Sequence, residues 1–263
     1  MPQRWPARLW VVRHGESAAN VARDAAYASG AARIALDGRD ADVPLSPLGE
    51  RQSRALGRWF ADLPPGERPE VVLASPFLRA RQTAEIALAA GRLEIGPGDF
   101  RLDERLRERD FGVLDGLTGR GIRAEYPDQA ALRRALGKFY HRPPGGEAWC
   151  DVILRLRGAL DTMSLHHEGR RVLLVAHQVV VLCLRYLLED MDEARVLAVD
   201  REGDVANCAV TEYAFDGPRG APRLVRYNHV APLERAGEAV TAEPDAEERR
   251  GGEAREGQGV AAS

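Results

Sequence analysis

A chain of 263 residues with 44% hydrophobic and 29% charged residues has the composition of a globular protein with a sizeable core. Its formal net charge of −3 argues against a nucleic-acid surface, and no 18-residue apolar run is present to span a membrane. Cys150, Cys183 and Cys208 are odd in number and lack metal-ligand spacing, and Cys150 and Cys183, which lie in apolar helical patterns, read as core thiols. With no apolar leader in MPQRWPARLW, a cytoplasmic location is expected. From Glu234 onward eight acidic residues accompany four arginines, and Val240 and Val260 are the only large apolar side chains. That segment cannot bury enough surface to fold by itself. The expected organisation is one folded domain over residues 1–233 and a disordered acidic tail over 234–263.

The first apolar run, Leu9-Trp10-Val11-Val12, reads as a strand buried on both faces, and it ends in Arg13-His14-Gly15-Glu16. Residues 16–29 are alanine-rich and helical in pattern, and 30–43 form a surface loop. Ser46 and Pro47 are a cap and first position for a helix with Leu48, Ala55, Leu56, Trp59, Phe60 and Leu63 on one face. Residues 71–74 are a second strand, running into Ser75-Pro76, which predicts another helix start with Arg79 in its first turn. Leu93-Glu94-Ile95-Gly96 reads as a third strand and the charge-dense stretch 100–118 mostly as loop. Residues 121–140 predict a helix in two pieces around Pro127. An amphipathic helix follows, with Trp149, Val152, Ile153, Leu156, Leu160 and Met163 on one face. Residues 171–176 are a buried strand ending in His177-Gln178, 179–188 an apolar helix, and 208–215 a final strand. Strands alternating with helices predict an α/β fold with a mostly parallel sheet.

Three of these strands deliver the same chemistry. The first ends in Arg13-His14, the second shortly before Arg79, and the strand at 171–176 in His177. Parallel strands would project these groups from one sheet edge into a common crevice. Two arginines and two histidines there make an anion site, with helix N-termini after Gly15 and Ser75 adding N–H donors. Taken singly, each has a structural explanation: a turn, a solvated face, an interior histidine. Their coincidence at equivalent strand ends favours a site.

The stretches RHGESAAN (13–20), PLSPLGERQ (44–52), SPFLRARQTA (75–84), LRERDFGVLDG (106–116) and VLLVAHQ (172–178) resemble the histidine phosphatase superfamily, the phosphoglycerate-mutase-like proteins. The resemblance implies a three-layer α/β/α sandwich and a phosphohistidine intermediate. It makes His14 the nucleophile and Glu108, four residues before Gly112, the proton donor. Arg13, Arg79 and His177 would hold the phosphoryl oxygens, with Asn20 as a further contact. Gln178 in place of glycine, together with DFGVLDGLT and LCLRYLLED, resembles the fructose-2,6-bisphosphatase branch. There Tyr126, Lys138 and Gln178 match positions that hold the sugar phosphate, as does Arg133 or Arg134. Trp149 and Leu182 depart from that branch's tyrosine and arginine.

The residue types suit the chemistry. A neutral imidazole attacks phosphorus only when an acceptor holds its other N–H, and fixed cations stabilise the charge on the transferring group. A carboxylic acid must protonate the departing alkoxide, so Glu108 is expected to have a raised pKa. No metal or other cofactor is expected, since no carboxylate or cysteine accompanies the histidines at ligand spacing. The expected activity is hydrolysis of a small phosphorylated metabolite, a sugar phosphate such as fructose 2,6-bisphosphate being favoured. Phosphoglycerate-mutase-type transfer is the alternative, and a non-catalytic phosphate- or phosphoprotein-binding module the third reading.

Overall fold

Every residue from Leu9 to Arg13 is buried, although alternate side chains point to opposite faces. That places strand β1 (Arg8–Arg13) in the middle of a sheet covered on both sides. A computed structural model describes residues 4–36, 38–217 and 219–242. The other strands are β2 (Val71–Ala74), β3 (Phe100–Leu102), β4 (Arg171–Ala176), β5 (Val210–Phe215) and β6 (Pro222–His229). They lie in the order β3-β2-β4-β1-β5-β6. The first four run parallel, while β5 and β6 are antiparallel additions beyond β1.

The helices are α1 (Ala18–Ser29), α2 (Pro47–Ala61), α3 (Leu78–Gly91), α4 (Gly119–Glu125), α5 (Pro127–Tyr140), α6 (Trp149–His166), α7 (Gln178–Leu188), α8 (Glu193–Glu202) and α9 (Ala231–Ala236). Leu9 and Val11 pack with α6 and α7 in one core; Trp10 and Val12 pack with α2 and α3 in the other. The fold is therefore the expected three-layer sandwich. Trp149 and Leu182 are buried members of the first core.

Four local expectations are corrected. Residues 93–96 form no strand; Arg92 ends α3 in the left-handed region, and Leu93 and Ile95 pack on the second core without joining the ladder. The third strand is instead Phe100–Leu102, a short edge strand with little apolar signal. Ser75 does not cap a helix, because α3 begins at Leu78. The last strand starts at Val210 rather than Cys208, whose positive φ of 55° turns the chain. Three elements, α8 before that strand and β6 and α9 after it, lie outside those anticipated from the sequence.

The expected domain boundary at Glu234 falls inside α9. Leu233 is fully buried, Glu238 N–H donates to the carbonyl of Leu233, and Glu238 pairs with Arg51 at 3.0 Å. Folding here rests on contacts to α2 rather than on the segment's own apolar content. The expected tail beyond Ala242 lies outside the described residues. Truncation after Leu233 is expected to cost about 2–4 kcal/mol of lost hydrogen bonds. That corresponds to a fall in Tm of about 5–10 °C. Truncation after Ala242 should leave Tm unchanged in the same calorimetric comparison.

Candidate active site

The carboxyl ends of β1, β2 and β4 are adjacent, and the loops leaving them wall one cleft. Its floor is the turn after β1. Gly15 is required there by close approach: a Cβ on it would stand 2.6 Å from the carbonyl of Gly49, and one on Gly49 would stand 1.9 Å from that of Glu16. The turn is thus pressed against the first turn of α2. Ser46 caps that helix through Gly49 N–H, and its hydroxyl donates to Glu16 at 2.6 Å. Ser17 caps α1 in a capping box with Asn20.

His14 is buried, and its two ring nitrogens have opposite partners. Nδ1 lies 2.7 Å from the carbonyl of Gly15, which can only accept, so Nδ1 carries the proton. Nε2 receives Arg79 Nε–H at 3.3 Å and therefore presents its lone pair. Burial, then Arg79 and Arg13, push the ring's pKa well below the usual histidine value. His14 is a neutral base with Nε2 as its exposed pole.

His177 ends β4 with its ring centroid 5.1 Å from that of His14. Its Nε2 lies 2.8 Å from Ser75 Oγ, and Phe77 N–H donates to the same hydroxyl oxygen. When that hydroxyl donates to Nε2, the ring proton sits on Nδ1. That nitrogen is 3.9 Å from Glu108 Oε2. Burial, Arg79 and His14 hold this pKa well down too. Ser75 is therefore the positioner of His177, the role its expected helix cap concealed.

Arg79 is held along its outer edge by Asp40: Nη1 donates to Oδ1 and to the backbone carbonyl, and Nη2 to Oδ2 at 2.9 Å. The Nε edge is what remains turned toward His14. Arg13 donates through Nη1 to Gln178 Oε1 at 2.9 Å and to the carbonyl of Val205. Gln178, the first residue of α7, donates in turn to Asp204 at 2.9 Å.

Glu108 reaches the cleft from a loop fastened at several points. Its Oε1 accepts from Arg109 N–H at 2.8 Å. Behind it, Glu147 pairs with Arg107 and Arg155, accepts from Asp110 N–H, and receives Arg109 Nε through its carbonyl. The cleft, partly open to solvent, thus gathers Arg13, His14, Asn20, Arg79, Glu108 and Gln178. His177 stands at its back beside His14. Asn20 Oδ1 is engaged by Ser17 N–H and Oγ–H, so what it offers an anion is its NH2 group.

Two expected substrate contacts are not brought there. Lys138 is buried in an ion pair with Asp200 at 2.6 Å, its ammonium 5.3 Å from the centre of the Trp149 ring. Desolvation ties that charge to its partner rather than to a ligand. Tyr126 joins α4 to α5 and packs on Leu114, Leu117 and Ile122. The cleft instead includes Arg23, Asp40 and Asp115, which sequence reading missed. Arg23 was within reach, one helical turn beyond Asn20 on α1; nothing local marks Asp40. Among the described residues, no three histidine, cysteine, aspartate or glutamate side chains are grouped to hold a metal ion.

The family model described as histidine phosphatase superfamily (branch 1) matches residues 9–230. The chain belongs to this superfamily. Relatives include the 6-phosphofructo-2-kinase/fructose-2,6-bisphosphatase of Caenorhabditis elegans, 32% identical over 68% of this chain and 33% of that protein. Another is the probable phosphoglycerate mutase GpmB of Proteus mirabilis, 32% identical over 67% of this chain and 72% of that one. The chain spans a third to about half of several of the curated relatives it matches. Among solved structures, Bacillus stearothermophilus YhfR superposes with a TM-score of 0.68, covering 86% of this chain and 98% of that one at 28% identity. A mycobacterial glucosyl-3-phosphoglycerate phosphatase gives 0.64, covering 85% and 99% at 27% identity.

The depressed histidine pKa values carry a stability consequence. The unfolded chain takes up protons near the ordinary histidine pKa of about 6.5, whereas the folded chain resists them. Stability is therefore full above that pH and is lost as pH falls below it. Tm followed from about pH 7.5 down to about 5.0 should decline. His177→Gln should flatten the decline.

Proposed function

We propose that the protein is a phosphomonoester hydrolase working through a phosphohistidine on His14. The observation that carries this reading is the fixed tautomer of His14, with Nδ1–H on Gly15 and the Nε2 lone pair beside Arg79. In the first step that lone pair forms the N–P bond as the ester P–O bond breaks, and Glu108 gives its proton to the departing oxygen. In the second, the Glu108 carboxylate takes a proton from water, the new hydroxide oxygen bonds to phosphorus, and the N–P bond breaks. Arg13, Arg79 and His177 Nδ1–H receive the negative charge that spreads over the phosphoryl oxygens. The scheme runs on protein groups alone. Retention of both nucleophile and acid favours it over a binding module.

The proposed substrate is a small metabolite with one phosphate and a hydroxyl-rich remainder, a sugar phosphate. Support comes from the mixed charge of the cleft, which is lined by Arg13, Arg23 and Arg79 and also by Asp40 and Asp115. Carboxylates accept from sugar hydroxyls and repel a second phosphate. Fructose 2,6-bisphosphate, suggested by relatives and by Gln178, loses the support of Lys138 and Tyr126. Phosphoglycerate-mutase-type transfer is disfavoured for the same reason, since its substrate carries a carboxylate as well. The three unpaired cysteines fit a reducing compartment, and the proposed location is the cytoplasm.

His14→Ala should abolish both phosphate release and the acid-labile phosphoenzyme; equal turnover by that variant would end this reading. Glu108→Gln should lower kcat on alkyl phosphates about 10²–10⁴-fold. On p-nitrophenyl phosphate, whose leaving group needs no proton, the first step should slow less than about tenfold, seen as a burst of p-nitrophenol ahead of a steady state limited by the second step. A phosphate-release screen over monophosphorylated sugars, fructose 2,6-bisphosphate, phosphoglycerates and phosphopeptides is expected to select the first group.

A further inference from the structure

The turn carrying His14 is held by two amide side chains, and both are engaged by one residue near the end of the described chain. Asn207 Nδ2 donates to the carbonyl of His14 at 2.9 Å. Gln52 Oε1 accepts from Glu16 N–H at 2.8 Å. Thr241 lies between these amides. Gln52 Nε2 donates to Thr241 Oγ1, and that hydroxyl donates to Asn207 Oδ1, each at 3.0 Å. The result is an unbroken relay of hydrogen bonds that leaves the turn at Glu16 N–H and returns to it at the carbonyl of His14.

The anchored groups are the ones that matter to the imidazole. Glu16 N–H shares a peptide plane with the carbonyl of Gly15, the acceptor that keeps the proton on His14 Nδ1. The carbonyl of His14 shares its plane with Gly15 N–H, which donates to Thr83 Oγ1 at 3.0 Å. Both peptides flanking Gly15 are therefore fixed at both ends. The segment carrying Thr241 is itself tied down: Asn207 N–H donates to the Thr241 carbonyl at 2.8 Å, and Gln52 Nε2 also donates to that of Ala239 at 2.9 Å. Gln52 and Asn207 are both fully buried. Thr241 lies beyond residues 9–230, the part that matches the family model.

We infer that residues 237–242 act as a strap, and that Thr241, through Gln52 and Asn207, is a positioning residue for the His14 nucleophile. The strap orients the two amides; Gln52 orients the Gly15–Glu16 peptide, whose carbonyl sets the tautomer, and Asn207 orients the adjoining His14–Gly15 peptide. The inference rests on the phosphohistidine reading, which makes His14 the group that must be positioned.

The test compares Thr241→Val and Thr241→Ala, which lose the hydroxyl, with Thr241→Ser, which keeps it. Turnover of p-nitrophenyl phosphate is measured alongside the 15N signals of the His14 ring, with Tm as the check on folding. Thr241→Val and Thr241→Ala should lower kcat about tenfold while KM stays within about twofold, since Arg13 and Arg79 are untouched. Thr241→Ser should recover at least about half of the lost kcat. The ring signals should report one Nδ1–H tautomer in the native protein and a mixture in the hydroxyl-free variants. Ring signals that do not change in the folded hydroxyl-free variants overturn the inference. So does a serine variant as impaired as valine, or a loss confined to KM. Absence of His14-dependent turnover in the native protein would instead defeat the phosphatase reading, and the ring signals would still decide the role of the strap.

Discussion

His14 is a buried imidazole with a guanidinium 3.3 Å from Nε2 and a second arginine adjoining it in the sequence. Burial and both cations oppose a positive ring, so the base stays neutral well below the pH at which a free histidine protonates. Neutrality alone does not make a nucleophile, because either nitrogen could carry the proton. The carbonyl of Gly15 decides between them. Whatever fixes that peptide therefore fixes the chemistry. The packing of Gly15 against Gly49, the capping of α1 and α2 at Ser17 and Ser46, and the amide of Gln52 bear on that plane, and the amide of Asn207 on the peptide before it.

The cations around His14 have a second constraint. Arginines with no anion bound would repel one another, and the structure answers with carboxylates and carbonyls placed on their outer edges. Asp40 takes the far edge of Arg79, and Arg13 is shared between Gln178 and the carbonyl of Val205. Gln178 passes the interaction on to Asp204. These partners hold each guanidinium in place before a phosphoryl group arrives, which spares the reorganisation a solvated arginine would undergo. Asp40, together with Asp115, gives the cleft its acidic side. Burial and the charge of Asp40 raise the pKa of Asp115, a sign that the acids there crowd one another. A ligand donating hydroxyl protons relieves that crowding, and a second anionic group aggravates it.

Much of this was legible in the sequence because it depends on local pattern. Continuous apolar runs gave β1, β2 and β4, and the residues at their ends gave His14, Arg79 and His177. Glu108 came only from resemblance, since a carboxylate in a charge-dense loop has no periodicity to mark it. The errors have physical causes. Leu93 is buried and Ile95 partly so, in alternation like a strand, yet neither joins the ladder, and an apolar alternation cannot tell the two cases apart. Lys138 occupies a motif position but is drawn into the core by Asp200, 62 residues away in sequence. Ser75 showed a cap-and-proline signal whose hydroxyl was committed elsewhere. Residues 234–242 have the composition of a tail, and their order comes from partners on α2 and beside β5, which composition does not record.

The position of these long-range partners follows from the glycine. Gly15 must lack a side chain so that the turn can lie against α2, and a residue without a side chain cannot orient its own peptides. Orientation has to be imported. It comes from Gln52, 36 residues from its contact on the turn, and from Asn207, 193 residues from its own. A buried amide can rotate by half a turn and exchange its oxygen for nitrogen, so each of these needs a partner at its other end to select one orientation. A hydroxyl can donate and accept at once, so one threonine serves both amides where two separate groups would otherwise be needed. The geometry of the nucleophile thus becomes a property of the closed tertiary fold, assembled only when the chain beyond β6 has returned to the sheet edge where β1 ends.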